Sequence, residues 1–183
     1  MKVFLTGFMG AGKSSVGRIL ARRLDVPFRD LDDEVEAAAG RTIPEIFAAS
    51  GEARFRQLEI ETLARLLRPG GLEDVVVATG GGTMAQADGA ALLRDAGTTV
   101  WLDVPFEVLV ERLGEADRAG RPLFQDPAAA RSLYDGRRGD YARADLTVEV
   151  GSGDTPDEVA ARVEERLAEV GVVARPVVAE EGR

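Results

Sequence analysis

Short apolar runs alternate along this chain with segments in which apolar residues recur at helical spacing. The runs near 2–6, 27–31, 75–78, 98–102 and 146–150 have the length and composition of strands. The spacing predicts helices near 13–24, 32–39, 44–49, 51–68, 85–96, 105–113 and 127–142, and a last helix that begins at Thr155. This alternation predicts an α/β fold, a three-layer sandwich in which helices cover both faces of a five-stranded parallel sheet.

Two local patterns sharpen this prediction. The run from Val75 to Ala78 is apolar throughout, which is typical of an interior strand covered on both faces. Thr155 precedes a proline and an acidic residue at the spacing of a capping box, which predicts the start of the last helix. We expect one domain over residues 1–171. The periodicity fades after that point, so a disordered tail is expected at 172–183.

Residues 7–14 read Gly-Phe-Met-Gly-Ala-Gly-Lys-Ser, which matches the phosphate-binding motif G-x-x-x-x-G-K-[ST]. An apolar strand precedes the motif and a predicted helix follows it, so backbone N–H groups should form a cradle at a helix N-terminus. Gly10 and Gly12 would let the backbone approach the phosphates. Lys13 would reach the β- and γ-phosphates, and the Ser14 hydroxyl would bind Mg²⁺. The motif thus predicts nucleotide binding by Gly10, Ala11, Gly12, Lys13, Ser14 and Ser15.

The alternative is a glycine-rich turn that only caps a helix. The chain has 21 arginines and two lysines, and one of those lysines follows the first methionine. Lysine at the one interior position favours phosphate binding, because a compact ammonium and a planar guanidinium are not interchangeable there.

Composition limits the chemistry further. No apolar run approaches the roughly 18 residues of a membrane span, and no signal peptide is recognisable, so we expect a cytoplasmic protein. The chain contains no cysteine and no histidine. A general base must therefore be a carboxylate or Lys13, and an oxygen-bound cation such as Mg²⁺ is the natural metal. The net charge of −9 argues against a nucleic-acid surface, so an anionic ligand would be held by a few local arginines.

Acidic residues follow two of the predicted strands. Asp30 and Asp32 lie at the end of the second strand, where open α/β sheets bind ligands, and alternation along that strand would direct both carboxylates to one side. The alternative is that Asp32, like Asp33 and Glu34 beside it, only stabilises the N-terminus of the next helix. Asp103 also ends a strand, as the metal-binding acid of many nucleotide-binding proteins does, but Val104-Pro105 after it indicates an ordinary helix start.

Glycine and arginine positions supply the other candidates. Gly80–Gly82 directly follow an apolar strand, which favours a place where a ligand touches the backbone. Arg56 has Glu52 four residues before it, so the sequence alone favours a surface ion pair. Arg121 lies in an irregular stretch and could act as an arginine finger. For Arg137 and Arg138, an exposed, solvated pair is the default expectation.

These motifs together resemble the shikimate kinase family in their order and spacing. The features that carry the resemblance are Gly7–Gly17, the acids at 30 and 32, Ile46-Phe47, Gly51-Glu52, Phe55-Arg56, Gly80–Gly82 and Arg121-Pro122-Leu123. The resemblance covers residues 1 to about 150. The phosphate-binding loop is common to many kinases, whereas the combination with the other features is far more selective.

The resemblance implies a P-loop kinase with a helical substrate-binding insertion at about 32–62 and a mobile lid at about 114–126. It implies transfer of the ATP γ-phosphoryl group to the 3-hydroxyl of shikimate, on the route to chorismate and aromatic amino acids. A monomer that binds ATP, Mg²⁺ and shikimate, without nucleic acid or membrane, is expected.

The resemblance also implies individual roles. Ser14 and Asp30 would hold Mg²⁺, and Asp32 would hold the acceptor hydroxyl as base or orienting group. Arg56 and Arg137 would pair with the shikimate carboxylate near the Gly81 backbone N–H. Two further arginines would act on the nucleotide, Arg121 by closing over the phosphates and Arg112 by flanking it.

The resemblance assigns the second acceptor-binding arginine by its distance to a tyrosine. Arg137 precedes Tyr141 by four residues, as in the family pattern, and the alternative is Arg138, which precedes it by three. The family usually has Pro-Leu-Tyr after this arginine, whereas this chain has Gly139-Asp140-Tyr141.

Three other functions compete with this interpretation. A kinase for another small polyol or sugar acid, such as gluconate, could use the same scaffold, but Phe55-Arg56 and the triple glycine disfavour it. A GTPase would need an N-K-x-D motif, and the chain contains no asparagine. A non-catalytic ATP-binding module is the third alternative.

Overall fold

The computed structural model describes residues 1–68, 70–112 and 126–174. Its strands are β1 (Lys2–Thr6), β2 (Phe28–Asp30), β3 (Val75–Ala78), β4 (Thr98–Asp103) and β5 (Leu146–Glu149). Its α-helices are α1 (Lys13–Arg23), α2 (Leu31–Ala39), α3 (Ile43–Leu66), α4 (Ala87–Ala96), α5 (Phe106–Arg112), α6 (Pro127–Tyr141) and α7 (Pro156–Glu169). The expected lid before Asp126, with Arg121 in it, and residues 175–183 of the expected tail lie outside the described ranges.

The five strands form one sheet in the order β2-β3-β1-β4-β5, and every neighbouring pair is parallel. Strand β1 is central, and β3 beside it is buried along its whole length, as its continuous apolar run predicts. Helices flank the sheet, and α1 packs against both α7 and β3. The predicted α/β architecture with a five-stranded parallel sheet is confirmed.

The order of the strands places the loop after β1 at the middle of the sheet edge. In a parallel sheet all strands end at the same edge, so this loop lies between the segments that follow β3 and β4. Helices α2 and α3 fill the connection between β2 and β3, where a helical insertion is expected.

The last helix begins as its sequence predicts. The Thr155 side chain accepts a hydrogen bond from the Glu158 backbone N–H, and the Glu158 carboxylate accepts one from the Thr155 backbone N–H. An equivalent capping box at Thr42 and Glu45 starts α3. None of the helices within 1–68, 70–112 and 126–174 has the length and apolar character needed to cross a membrane.

Two elements differ from the predicted bounds. Strand β2 ends at Asp30, so Asp32 lies in the first turn of α2 and not on a strand. The helices predicted near 44–49 and 51–68 are two arms of α3, which bends at Gly51 where φ is 75° and ψ is 176°. Only glycine adopts this backbone conformation without strain, which explains the break in the pattern.

Candidate active site

The loop between β1 and α1 has the backbone of a phosphate cradle. Gly10 and Gly12 have φ values of 81° and 89°, in the left-handed region that favours glycine. A Cβ on Gly7 would lie 2.8 Å from the carbonyl oxygen of Leu102, so this position also excludes a side chain. The first turn of α1 begins at Lys13, and its N–H groups have no carbonyl partner within the helix. An anion at the loop would meet these N–H groups and the positive end of the helix dipole.

Lys13 is folded over this loop. Its ammonium donates hydrogen bonds to the carbonyl oxygens of Gly7 at 2.8 Å and Phe8 at 3.0 Å. The side chain lines a pocket of about 360 Å³. Other residues that line this pocket are Gly10, Gly12, Ser14, Ser15, Asp30, Asp32, Gly81 and Arg112. The structure thus brings five of the six residues predicted from the motif, and both predicted acids, to one cavity, whereas the buried Ala11 does not line it.

Ser14 and Asp30 are in direct contact. The Ser14 hydroxyl donates to Asp30 Oδ2 at 2.5 Å, and Asp30 Oδ1 accepts from the Asp32 backbone N–H at 3.1 Å. Asp30 is therefore also the N-cap of α2, and its other oxygen accepts the hydrogen bond from the P-loop serine. A hydroxyl and a carboxylate side by side are ligands that suit a hard, oxygen-bound cation.

Asp32 shares the pocket with Asp30 for a different reason than strand alternation. The prediction that alternation aligns the two acids is wrong, because Asp32 belongs to the first turn of α2. Its side chain is open to the pocket, yet the surrounding protein removes much of its hydration, and this desolvation is the main cause of a pKa that is raised from 3.8 to about 6. The negative charge of Asp30 contributes to the same rise, whereas the positive charges of Lys13 and Arg56 oppose it.

Arg56 forms the expected ion pair with Glu52, at 3.1 Å, but it is not a surface residue. The Arg56 side chain is only 22% exposed, and its Nη1 also donates at 3.0 Å to Glu59, which is completely buried. Glu59 accepts two more hydrogen bonds, from the Thr83 hydroxyl at 2.6 Å and from the Gln86 amide at 2.8 Å. A buried carboxylate with three donors thus fixes one side of the guanidinium.

The same contacts explain two of the three consecutive glycines. A Cβ on Gly80 would overlap Glu59 Oε1, and a Cβ on Gly82 would lie 2.7 Å from Nη1 of Arg56. A Cβ on Gly81 would lie 3.3 Å from the backbone nitrogen of Met9 in the phosphate-binding loop. The sequence pattern favoured a bound ligand against the backbone of these glycines. At Gly80 and Gly82 the close neighbour is instead the Arg56–Glu59 pair.

Arg137 and Arg138 have different environments, and the default expectation of an exposed pair is wrong. Arg137 Nη1 donates to the Gly81 carbonyl oxygen at 3.1 Å, and no carboxylate lies within 4 Å of its guanidinium among the described residues. Arg138 donates to both oxygens of Asp103, at 2.8 and 3.0 Å. Its guanidinium also stacks over the rings of Trp101 and Tyr134.

The Arg138 contact also decides between the two candidate metal acids. Both oxygens of Asp103 are occupied by a guanidinium, and Asp103 is not among the residues that line the pocket with Ser14. This geometry agrees with the lower rank that the sequence gives to Asp103. Asp30, in contact with Ser14, is the better-placed acid.

A second cavity adjoins the phosphate cradle. It has a volume of about 220 Å³ and shares Gly10, Gly12, Ser15 and Arg112 with the first pocket. Pro156 at the start of α7 forms another part of its wall. Arg112 is held there by the backbone, since its Nη2 donates to the carbonyl oxygen of Gly151 at 2.9 Å.

Sequence reasoning missed two residues of this region. Glu59 carried a signal, because it interrupts the buried stripe of α3 between Phe55 and Leu63 at spacings of four. A charged residue at a core position indicates a buried polar network. Tyr141 entered only as a marker for Arg137, but its buried hydroxyl donates to the Gly81 carbonyl oxygen.

The sheet order, the phosphate cradle after the central strand and the neighbouring carboxylates define a P-loop phosphotransferase. Comparison with known proteins narrows this class. The model of the family described as shikimate kinase matches residues 9–168. This chain belongs to the shikimate kinase family, and it is an ATP-dependent small-molecule kinase.

Individual relatives agree over most of the chain. The chain is 46% identical to the shikimate kinase of Cereibacter sphaeroides over 169 residues, which cover 91% of this chain and 82% of the relative. A crystal structure of shikimate kinase from Aquifex aeolicus has 39% identity and a TM-score of 0.78, covering 93% of this chain and 98% of that one. The Acinetobacter baumannii shikimate kinase in complex with shikimate has 33% identity and a TM-score of 0.85, with 94% and 95% covered.

Proposed function

We propose that this chain transfers the γ-phosphoryl group of ATP to the 3-hydroxyl of shikimate, giving shikimate 3-phosphate and ADP. The acceptor oxygen forms a bond to the γ-phosphorus as the bond from that phosphorus to the β,γ-bridging oxygen breaks. The hydroxyl proton passes to the Asp32 carboxylate, and the bridging electrons remain on ADP.

The observation that carries the proposal is the single cavity shared by the phosphate-binding loop, Lys13 and Asp32. Phosphoryl transfer depends mainly on positioning and charge neutralisation. Lys13 supplies a positive charge beside the cradle, and Asp32 supplies a base in a chain without histidine. The raised pKa makes the Asp32 carboxylate a stronger base than an ordinary aspartate while it stays ionised near neutral pH.

Two arginines are the proposed partners of the acceptor carboxylate. Arg137 has no carboxylate within 4 Å in the described part of the chain, so its guanidinium is not neutralised. Arg56 is held in place by Glu59 at one edge, and both arginines adjoin the triple-glycine segment. A carboxylate that met these two groups would gain charge-assisted hydrogen bonds.

The same cavity suits a metal ion. Ser14 and Asp30 would hold Mg²⁺, because their oxygens lie side by side next to the phosphate cradle. When bound, the ion would offset charge on the phosphate oxygens. Within the described ranges no cluster of three or more acidic residues could form a metal site by itself, which fits a cation shared with the phosphates of the nucleotide.

The adjoining cavity is the proposed site of the nucleotide base. Arg112 and Pro156 line it, and the cavity shares Gly10 and Gly12 with the phosphate cradle. Arg121, outside the described residues, is proposed from the family resemblance to close over the phosphates. All proposed groups come from one chain, so we propose that a monomer is active. From composition and net charge, we further propose that it acts in the cytoplasm and needs neither nucleic acid nor membrane.

A coupled assay of ADP formation across acceptors tests the proposal. Shikimate should support turnover that depends on Mg²⁺, and gluconate should not. Turnover with gluconate and none with shikimate would show that the chain phosphorylates a different acceptor. Nucleotide binding without acceptor-dependent ADP release would indicate a non-catalytic module.

A further inference from the structure

One backbone carbonyl in the acceptor region receives two hydrogen bonds from the same helix. The Gly81 carbonyl oxygen accepts from Nη1 of Arg137, at 3.1 Å, and from the Tyr141 hydroxyl. The two donors are four residues apart, so they lie on one face of α6 one turn from each other. A carbonyl oxygen has two lone pairs, and both are used here.

The two donors differ in their freedom to move. Arg137 is half-buried, and besides its hydrogen bond to this carbonyl it has a side-chain hydrogen bond with Tyr141. Tyr141 is 1% exposed, and its ring centroid lies 6.0 Å from that of Trp101 in the core. Rotating the tyrosine away would open a void, whereas rotating the arginine would not.

Tyr141 also remains a donor at every working pH. Burial raises the pKa of its hydroxyl to about 12, although the neighbouring Arg137 lowers it somewhat. The neutral phenol therefore keeps its proton, and its hydrogen bond to Gly81 does not depend on buffer conditions.

We propose that Tyr141 is a positioning residue that keeps the Gly81 carbonyl hydrogen-bonded while Arg137 turns to the acceptor carboxylate. This inference rests on the proposed function, in which Arg137 binds that carboxylate. An acceptor in the pocket would exclude water from the carbonyl, so a departing Arg137 would otherwise leave a buried oxygen without a donor. With Tyr141 in place, Arg137 exchanges its hydrogen bond to the Gly81 carbonyl oxygen for one to the substrate carboxylate, and the carbonyl oxygen keeps a donor.

The test compares Tyr141→Phe with Tyr134→Phe. Tyr134 is a matched control, because it is buried on the same helix and its hydroxyl also donates to a backbone carbonyl, that of Val104 at 3.0 Å. In the Tyr141→Phe enzyme, Arg137 is the one remaining donor to Gly81, and acceptor binding removes it. The KM for shikimate should rise about tenfold while the KM for ATP stays within about twofold. Tyr134→Phe should leave both constants unchanged.

A double-mutant cycle separates positioning from a general structural effect. In Arg137→Ala, the space left by the truncated, half-buried side chain admits a water that can donate to the Gly81 carbonyl even when the acceptor is bound. If Tyr141 acts as proposed, adding Tyr141→Phe to Arg137→Ala should therefore raise the KM for shikimate much less than Tyr141→Phe does in the wild-type enzyme. Additive effects, equal rises in both KM values, an unchanged KM for shikimate or loss of folding in Tyr141→Phe would each overturn the proposal. The same variants also test the proposed function, on which this inference rests. If the wild-type enzyme does not phosphorylate shikimate, or Arg137→Ala leaves its KM unchanged, the proposed function is what fails.

Discussion

Asp30 and Asp32, two residues apart, have opposite electrostatic surroundings. Asp30 accepts hydrogen bonds from the Ser14 hydroxyl and from a backbone N–H at the start of α2. Asp32 has no such donor in the described contacts and lies where burial and the Asp30 charge raise its pKa to about 6. The surroundings of Asp32 therefore make it a better base than an ordinary aspartate, whereas the oxygens of Asp30 are engaged by the P-loop serine and the helix N-terminus.

The raised pKa of Asp32 predicts the acid limb of the pH–rate profile. We expect kcat/KM for the acceptor to fall as the pH drops through about 6, because a protonated carboxyl cannot accept the hydroxyl proton. Initial rates between about pH 4 and 9 would measure this limb. Asp33→Asn is the control, since Asp33 is exposed on the same turn and should leave the profile unchanged. Activity that stays constant down to about pH 4, near the ordinary aspartate value, would contradict the role of Asp32.

The same shift has a consequence for stability. A raised pKa means that the folded chain holds the Asp32 proton more tightly than the unfolded chain does. The resulting stabilisation is complete below the ordinary value of 3.8 and is lost as the pH rises through about 6. Asp32→Asn cannot ionise, so it should raise the Tm relative to the wild-type enzyme at pH 8 and change it little near pH 4. A Tm difference that is the same at both pH values would contradict this linkage.

Glu59 should affect both stability and acceptor binding. Glu59→Gln keeps the size of the side chain but removes the charge that compensates Arg56 in a buried position. We expect a loss of about 2 kcal/mol in the free energy of unfolding and a higher KM for shikimate. Chemical denaturation and steady-state kinetics would measure the two effects. The matched control is Glu52→Gln, which removes the exposed partner of the same arginine and should change stability by less than about 1 kcal/mol.

At the scale of elements, α3 is a bent helix whose two arms have different tasks. The second arm carries Arg56 and Glu59 beside the glycine run, and the first arm carries Phe47. The rings of Phe47 and Phe55 lie 4.8 Å apart across the bend, so the kink at Gly51 lets the two arms contact each other through these rings. Phe47 is 38% exposed, which leaves part of its ring open beside this junction.

The bend depends on glycine at position 51. Gly51→Ala has open space for its methyl group, but φ of 75° with ψ of 176° is a conformation that alanine adopts only with strain of about 1–3 kcal/mol. We expect that loss in stability together with a higher KM for shikimate, as the first arm of α3 moves. Gly40→Asn is the control, because Gly40 has φ of 64° and ψ of 23°, which asparagine tolerates. Equal losses in both variants, by chemical denaturation, would contradict the argument.

At the scale of the whole molecule, the sheet order gathers residues that are distant in the sequence. The phosphate cradle follows the central strand β1, and the glycine run follows its neighbour β3. The proposed nucleotide and acceptor groups therefore meet at one edge while belonging to different helices, with Lys13 on α1 and Arg56 on α3.

This division predicts separate ligand effects on unfolding. A ligand that binds only the folded chain raises stability by about 2.7 kcal/mol at a hundred times its Kd. Lys13→Ala should fold and abolish turnover, lose the rise in Tm caused by ADP and keep the rise caused by shikimate. Arg56→Ala should keep the rise in Tm caused by ADP and lose the rise caused by shikimate. Thermal unfolding with each ligand would measure both, and loss of both ligand effects in either variant would contradict the division.

Residues whose roles depend on local spacing could be predicted from the sequence. The five strands, the cap at Thr155 and the phosphate-binding loop all follow from short-range patterns. The sequence marks Glu59 as a charged residue at a core position, but the full environment of Arg56 could not be predicted, because the other donors to Glu59 come from the distant Thr83 and Gln86. The different fates of Arg137 and Arg138 depend on which face of α6 meets the sheet, and only tertiary packing determines that face.

The overlap between position 80 and the carboxylate of Glu59 restricts how this enzyme can evolve. Any side chain at position 80 would displace the Glu59 carboxylate unless residue 59 were shorter, and a shorter residue at 59 alone would release Arg56 from its buried partner. A single substitution at either position is therefore harmful, whichever of the two residues changes first. Descendants of this sequence should keep the two residues together or exchange them in one event, so Gly80 and Glu59 form a linked pair under selection.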